Sequence, residues 1–546
     1  MKNSKTELKI RRSLTDLQRA YEKGDKKPLE QLMRAWKGIK ELPADDPNSF
    51  FVLGGFHGEP FRAAGATDTS YWGGYCNHGN ILFPTWHRVY LHKLEKALQS
   101  IKGCEDVMLP FWDETNEDTL TNGVPWALTA ENFTFSDGET VPNPLRSFVF
   151  PKGIVDNAIE TGTYNYSKPQ GYETVRYPYS GLVGTDTDKI ATAEHNAKFP
   201  YSVGVAYLND NVITWLTSSE KPNGVNERGF VLDQFKNCLN APNYTVFSNT
   251  TSAAEWNSNL PAGFDPIVPL ESPHNSIHLA VGGFEIKGYD ASKVEGANGD
   301  MGENNTAGLD PIFYFHHCNV DRVFWLWQKK QGFTKHLEVI SEYAGTNSSD
   351  GGTQPSAGQA PNGYLDLQSP LYPFRKTTAG EPYYTSNDCV NIHEMGYDYG
   401  AGSLDELAKP QLKAEAKSTG GRVIKVSKLN RAARKGSFII TAHAVTTDAN
   451  GNTQKELLGV EAVLSRWSVV KCANCLTHLE TKAFFKIPAK HQLNLLSSGD
   501  LQQSIQISVH DRSGLVTGGD EPAQTTEQVK LLNAQNAKQL YQLEIL

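Results

Sequence analysis

The sequence has no apolar run approaching the roughly 18 residues that a membrane-spanning helix requires. Its first residues, Met1-Lys2-Asn3-Ser4-Lys5 and onward through Arg12, are polar and charged, with no apolar stretch of the sort that directs secretion. Cysteine is scarce, with seven residues at 76, 104, 238, 318, 389, 472 and 475. An odd count without regular spacing excludes a disulfide scaffold and leads us to expect a reducing, cytoplasmic location. Positive charge is in deficit: 52 Lys and Arg against 61 Asp and Glu leave a net charge of −9. That balance argues against nucleic acid or an anionic membrane as the main partner. There is no internal repeat and no low-complexity tract, and 39% hydrophobic with 21% charged residues excludes a collagen-like or disordered chain.

The remaining pattern is that of a large globular protein. Residues 13–41 are amphipathic and predict a helix capped by Ser13, with Asp16 three residues on. Pro84 to about Ser100 predicts a helix with proline in its first turn. Helices are also expected at about 206–219, at 272–281 and at 310–329, the last with Asp310 as cap and Pro311 in its first turn. Near residue 400 the character changes. Residues 403–436 are charged and Lys/Ala-rich and read as a linker. Strands are expected beyond it at 437–446, 458–470, 482–487 and 502–511. The expected organisation is a mainly α catalytic domain over 1–402, the linker, and an all-β, sandwich-like domain over 437–546.

The 15 histidines carry the chemistry. His274 and His278 are four apart, so they share one helical face and can grip one ion. His317 lies on the next strong helix, with Asp321 one turn later. A carboxylate there can accept the other imidazole N–H and fix its tautomer. Upstream, His57 sits in Gly54-Gly55-Phe56-His57-Gly58, His78 precedes a loop with Gly79 and Pro84, and His87 is in the first turns of the Pro84 helix. Two sets of three imidazoles suggest two neighbouring metal ions, and neutral nitrogen ligation suits copper, zinc or iron. A dizinc hydrolase would normally include bridging carboxylates, which an all-histidine set does not offer.

The segment Cys76-Asn77-His78-Gly79-Asn80-Ile81-Leu82-Phe83-Pro84-Thr85-Trp86-His87-Arg88 closely resembles the first copper motif of type 3 copper proteins, the tyrosinases, catechol oxidases and molluscan haemocyanins. His274-Asn275-Ser276-Ile277-His278 and Asp310 through Arg322 resemble the second. The resemblance implies a four-helix-bundle dicopper core, with one copper on His57, His78 and His87 and the other on His274, His278 and His317. His316 would then be structural. It also implies O₂ as co-substrate, small phenols as substrates, and a thioether from Cys76 to His78.

Further roles follow from the same resemblance. Phe313 matches a gate residue able to stack on the substrate ring. Glu271 and Asn275 match a pair that holds a water proposed to take the phenolic proton. Gly299-Asp300-Met301-Gly302-Glu303-Asn304 matches a loop at the substrate entrance, where Asn304 replaces an apolar residue. Tyr397-Asp398-Tyr399-Gly400 matches the tyrosine motif that closes the catalytic domain. The C-terminal domain is then a shield, with Leu464 or Trp467 as the plug and an activating protease acting in the linker. Cys472-Ala-Asn-Cys475 is open to three readings: a copper(I) relay, a redox pair or a zinc half-site. The implied function is a latent tyrosinase with a role in pigment formation. The alternatives are a catechol oxidase or a haemocyanin-like oxygen carrier.

Overall fold

The computed structural model describes residues 8–58, 74–154, 166–217, 230–283, 294, 296–347, 363–377, 382–409, 421–434, 436–447, 453–467, 473–476, 478–487, 504–511, 514–515 and 541–546. Among them no helix is long and apolar enough to cross a membrane.

Ser13 caps as expected, its Oγ accepting the Asp16 N–H at 3.0 Å. The single helix expected over 13–41 is instead two, Leu14–Glu22 and Lys27–Glu41. Gly24 separates them at φ +98°, a left-handed conformation that ends a helix at little cost for glycine alone, and Pro28 starts the second. The Phe83–Gln99 helix begins with Pro84 in its first turn. Tyr201–Thr217, Glu271–Gly282 and Ile312–Gln331 fill the other expected places. Pro311 stands just before the last of these, and the Asp310 carboxylate serves its first turn as expected, accepting the Ile312 N–H at 3.1 Å while forming a forked pair with Arg176 at 2.7 and 2.9 Å.

Every residue of Glu271–Gly282 is buried, as is every residue from Ile312 to Gln328. Helices buried on all faces lie in the middle of a domain, and here the buried faces include histidines. Such close approach needs small residues: a Cβ on Gly282 would lie 2.0 Å from the Gly302 nitrogen. The ends of the catalytic domain meet where Lys9–Arg11 pairs in parallel with Tyr397–Tyr399, Ile10 opposite Asp398.

The C-terminal region is strand-rich. A three-stranded antiparallel sheet runs Glu480–Ile487, Arg422–Asn430, Gln542–Ile545. A four-stranded one runs Gly514–Leu515, Ile505–Asp511, Phe438–Thr447, Thr453–Val463. Both contribute to one apolar core that includes Ile424, Phe485, Ile440 and Ile507. The Arg422–Asn430 strand falls inside the expected linker. Its alternation, RVIKVSKLN, is masked in sequence by lysine-rich neighbours, and it becomes a central strand by pairing on both edges. Ile439, Leu457, Val460 and Ala462 belong to the catalytic domain's own core, so the two regions share apolar packing.

Candidate metal centre

Six imidazoles converge in the catalytic domain. His57 follows the Phe50–Gly55 helix, capped by Ser49, whose Oγ accepts the Val52 N–H at 3.2 Å. His78 lies on the turn ahead of Phe83–Gln99. Gly79 after it has φ +69°, and a Cβ there would meet the His478 ring at 2.6 Å. His87 sits in the first turns of that helix, and its Nδ1 lies 2.8 Å from the Phe83 carbonyl. His278 Nδ1 lies 2.8 Å from the Met301 carbonyl, and His274 Nδ1 lies 2.9 Å from Asn275 Oδ1.

These partners set the chemistry. A carbonyl oxygen only accepts, so Nδ1 of His87, His274 and His278 carries the proton and Nε2 presents a bare lone pair. Nε2 of His274 and of His278 each lie 3.1 Å from Nε2 of His317. Ligand atoms on an ion with bonds of about 2.0–2.1 Å sit a little over 3 Å apart, so this triangle fits one metal. In the other set, both ring nitrogens of His57 and His78 and Nε2 of His87 are buried with no partner. Their ring centres are 5.2, 5.3 and 5.7 Å apart. Unpartnered buried nitrogens are costly, and a second ion would take one nitrogen from each of the three rings. The sets adjoin, with the His87 and His317 rings 4.6 Å apart. Burial pushes all six below the ordinary imidazole range, His87 to about 3 and His278 to about 4, which keeps them neutral as metal ligation requires.

His316 also lies near the second set, but its Nδ1 is 2.7 Å from Glu114 Oε1, which anchors the ring. Glu271 and Asn275 share a helix face. Glu271 Oε1 accepts the Gly79 N–H at 2.8 Å, and Oε2 accepts from the Thr250 N–H and hydroxyl at 2.8 and 3.0 Å. Cys76 is a free, buried thiol whose Sγ, with one nitrogen each of His57 and His78, forms a group within 4.8 Å.

Two expectations need correction. Asp321 does not orient His317, whose Nδ1 has no partner. Its carboxylate is taken by Arg88 Nε at 2.5 Å, Tyr399 Oη at 2.5 Å, Tyr397 Oη at 2.8 Å and Arg11 Nη1 at 3.4 Å. Phe313 is not free to stack on a substrate. Its face lies on His317 at 3.8 Å and 18°, and it meets the His57 ring at 4.7 Å, so it orients ligands.

The strand-rich region covers the first set. Asn304 N–H donates to the Ser465 carbonyl at 3.3 Å, Ser437 Oγ to the Gly302 carbonyl at 2.7 Å, and Asn474 Nδ2 to the His78 carbonyl at 2.9 Å. Trp467 packs aside against Tyr166, ring centres 5.5 Å apart, and Leu464 is buried. The sequence reading missed Arg466, whose Nη2 donates to the His57 carbonyl at 3.4 Å; a lone arginine in an apolar segment was the available signal. It also missed Arg88, the residue after a ligand. Cys475 is buried and disulfide-bonded, so in this form it offers copper(I) no thiolate; Cys472 lies outside the described residues.

Acid will weaken the fold in a defined window. Burial holds His92, His443 and His478 to about 3. Between that value and the ordinary 6.5 the unfolded chain binds protons that the folded chain does not, so stability falls as pH falls through this range. Glu461, raised by burial from 4.5 to about 7, opposes this between those two values, and Glu114, Glu271 and Asp300, also raised by burial, oppose it above their ordinary values. In copper-free protein the six ligand histidines add to the loss with the same sign. The denaturation midpoint of copper-free protein is therefore expected to drop most steeply below pH 4.5. A level profile would contradict neutral burial.

The family model for the common central domain of tyrosinase matches residues 47–330. Tyrosinase HcTyr2 of Hahella sp. (strain CCB-MM4) is 52% identical over 552 residues, spanning 96% of this chain and 97% of its own. A tyrosinase of Aspergillus oryzae (strain ATCC 42149 / RIB 40) is 42% identical over 501 residues, spanning 87% and 88%. The solved structure of tyrosinase from Burkholderia thailandensis at low pH superposes with a TM-score of 0.80 at 47% identity, covering 98% of this chain and 100% of that one. The histidine sets lie within or at the heart of this likeness, and the chain therefore belongs to the tyrosinase family, its two histidine sets holding a dinuclear copper site.

Proposed function

We propose that this chain is a latent tyrosinase. It hydroxylates monophenols ortho to the hydroxyl, oxidises o-diphenols to o-quinones, and stays closed while the strand-rich region is seated. The observation that carries latency is the cover itself: Arg466 donates to the His57 carbonyl, Asn474 to the His78 carbonyl, and the Trp467 N–H to Asn305 Oδ1. We read the ligand-bearing helices as a four-helix-bundle core, the two C-terminal sheets as a sandwich, and Leu464 as the plug, since Trp467 packs to one side. A cytoplasmic enzyme making reactive quinones gains from such a cover until a protease or a loosening acts between Lys409 and Gly421.

When bound, the copper pair supplies the oxidising chemistry with O₂ as co-substrate. The chain's residues exclude water, position the ring and manage protons. A phenol ionises near about 10, so at neutral pH it needs a base. Burial raises the Glu271 carboxyl above its ordinary range, toward the working pH. Its Oε1 accepts one backbone donor, which leaves a lone pair for a water beside Asn275. We also read Cys76 as joined to His78 by a thioether in the mature protein.

O₂ uptake by copper-loaded full-length protein, before and after a cut between Lys409 and Gly421, tests this reading. Turnover of both tyrosine and its catechol is expected only after cutting. Turnover of the catechol alone would remove the roles of Glu271 and Asn275. Reversible O₂ binding without turnover in either form would make the chain an oxygen carrier.

A further inference from the structure

The Cys76 sulfur accepts two side-chain hydrogen bonds, one from each part of the chain. Asn304 Nδ2 donates at 3.4 Å from the catalytic domain, and Arg466 Nη2 at 3.6 Å from the strand-rich domain. The same nitrogen of Arg466 reaches the His57 carbonyl at 3.4 Å. Arg466 is 2% exposed, and its Nε and Nη1 have no partner. Burying a guanidinium costs several kcal/mol. Covering an apolar pocket does not require it; a side chain like that of Leu464 would do that better. Asn304 is bound to the same segment, its N–H donating to the Ser465 carbonyl at 3.3 Å, and the Ser465 N–H donates to Ser437 Oγ at 3.0 Å. The two domains are thus laced together around one sulfur.

We propose that the C-terminal domain helps to build the site it covers: Arg466, with Asn304, is a positioning residue that holds the Cys76 sulfur for oxidative cross-linking to the His78 ring. This rests on the thioether reading given above. In the step, the Cys76 S–H bond and one C–H bond of the His78 imidazole break and one S–C bond forms. The two hydrogens, with two electrons, reduce O₂, the family's co-substrate, to hydrogen peroxide. A thiol on a free Cα–Cβ bond samples several rotamers. Two donors converging on the sulfur select one, within the 4.8 Å group that includes a His78 nitrogen. The lid therefore acts before the first substrate does, and latency and maturation share one contact.

The experiment uses full-length protein made without copper, then given copper in air. It follows intact mass under denaturing conditions and the number of thiols that react in denaturant. Wild type is expected to lose the mass of two hydrogens and one thiol, mapped to the peptide of Cys76, whereas C76S loses neither. In R466M the conversion is expected to slow by about tenfold to a hundredfold. R466K, which keeps a charged donor, should recover much of the rate. N304L should slow it as well, from the other domain. Denaturation midpoints and retained latency report whether the lid is still seated. Equal cross-linking rates in wild type, R466M and N304L would overturn the proposal while leaving the thioether intact. Absence of the mass loss in wild type would instead overturn the thioether reading, and this proposal with it.

Discussion

Replacing Asp321 by Asn will destabilise the catalytic domain by about 3–5 kcal/mol, the loss seen when one partner of a buried ion pair is removed. Asp321 is the hub of a dry network. Its side chain is 1% exposed, and those of Arg88 and Arg11 are 0%. Arg11 has a second carboxylate, Glu95, at 2.9 and 3.2 Å, so it keeps a partner in the variant. Arg88 does not: its remaining partners are the carbonyls of Cys389 and Val390. A buried guanidinium without a counter-charge is the main cost. Arg88→Met should cost a similar amount. The double variant should cost less than the sum, because each change removes the reason for the other group's burial. The measurement is the denaturant midpoint of copper-free protein, taken with the slope to confirm a two-state transition. A loss below about 1 kcal/mol for D321N would show that the pair is solvent-relaxed. The same network has a functional side. Arg88 follows the ligand His87, and Asp321 stands one turn after His317, so the pair holds the two ligand helices in register.

His317→Ala will leave one equivalent of copper per chain in place of two and abolish O₂ uptake with any phenol. His317 Nε2 is the apex of the second triangle, 3.1 Å from both partners. Two histidines four apart on one helix cannot enclose an ion by themselves. His87→Ala should mirror it on the first set, since its bare Nε2 belongs to the group around His57 and His78. Asn275→Leu is a graded version. It removes the acceptor that holds the His274 proton on Nδ1, and should weaken copper at the second set by about 10–100-fold without emptying it at saturating metal. Metal content by elemental analysis after dialysis against a weak chelator separates these outcomes. Two equivalents of copper in H317A would mean that His316, whose Nε2 has no partner, substitutes as a ligand.

Much of the site was legible in advance because ligand chemistry leaves local traces. The four-residue spacing of His274 and His278, the proline-started helix bearing His87, and the histidine pair on the helix after Asp310 all lie within a few turns of chain, and each appears where expected. The strands of the C-terminal region were visible for the same reason, as period-two alternation within single segments. The strand hidden in the expected linker was not, because Arg422, Lys425 and Lys428 match the charged residues around it, and only pairing on both edges identifies it.

Asp321 and Phe313 show where reasoning along one helix stops. On the helix alone, a carboxylate one turn from His317 is a natural acceptor, and the family resemblance makes the aromatic one turn before it a gate. Which way each side chain finds a partner depends on chains far away in sequence: Arg88, Arg11 and the two tyrosines take Asp321, while His317 and His57 enclose Phe313. The amino-acid sequence by itself determined the six imidazoles, their grouping in threes and the two-part organisation of the chain, since these rest on residue identity and short-range periodicity. Only the tertiary structure decided the tautomers, the ion network behind the ligands, and that an arginine of the C-terminal region meets the Cys76 sulfur. Hydrogen bonds and burial are set by distance in space, and Arg466 and Cys76 are 390 residues apart along the chain.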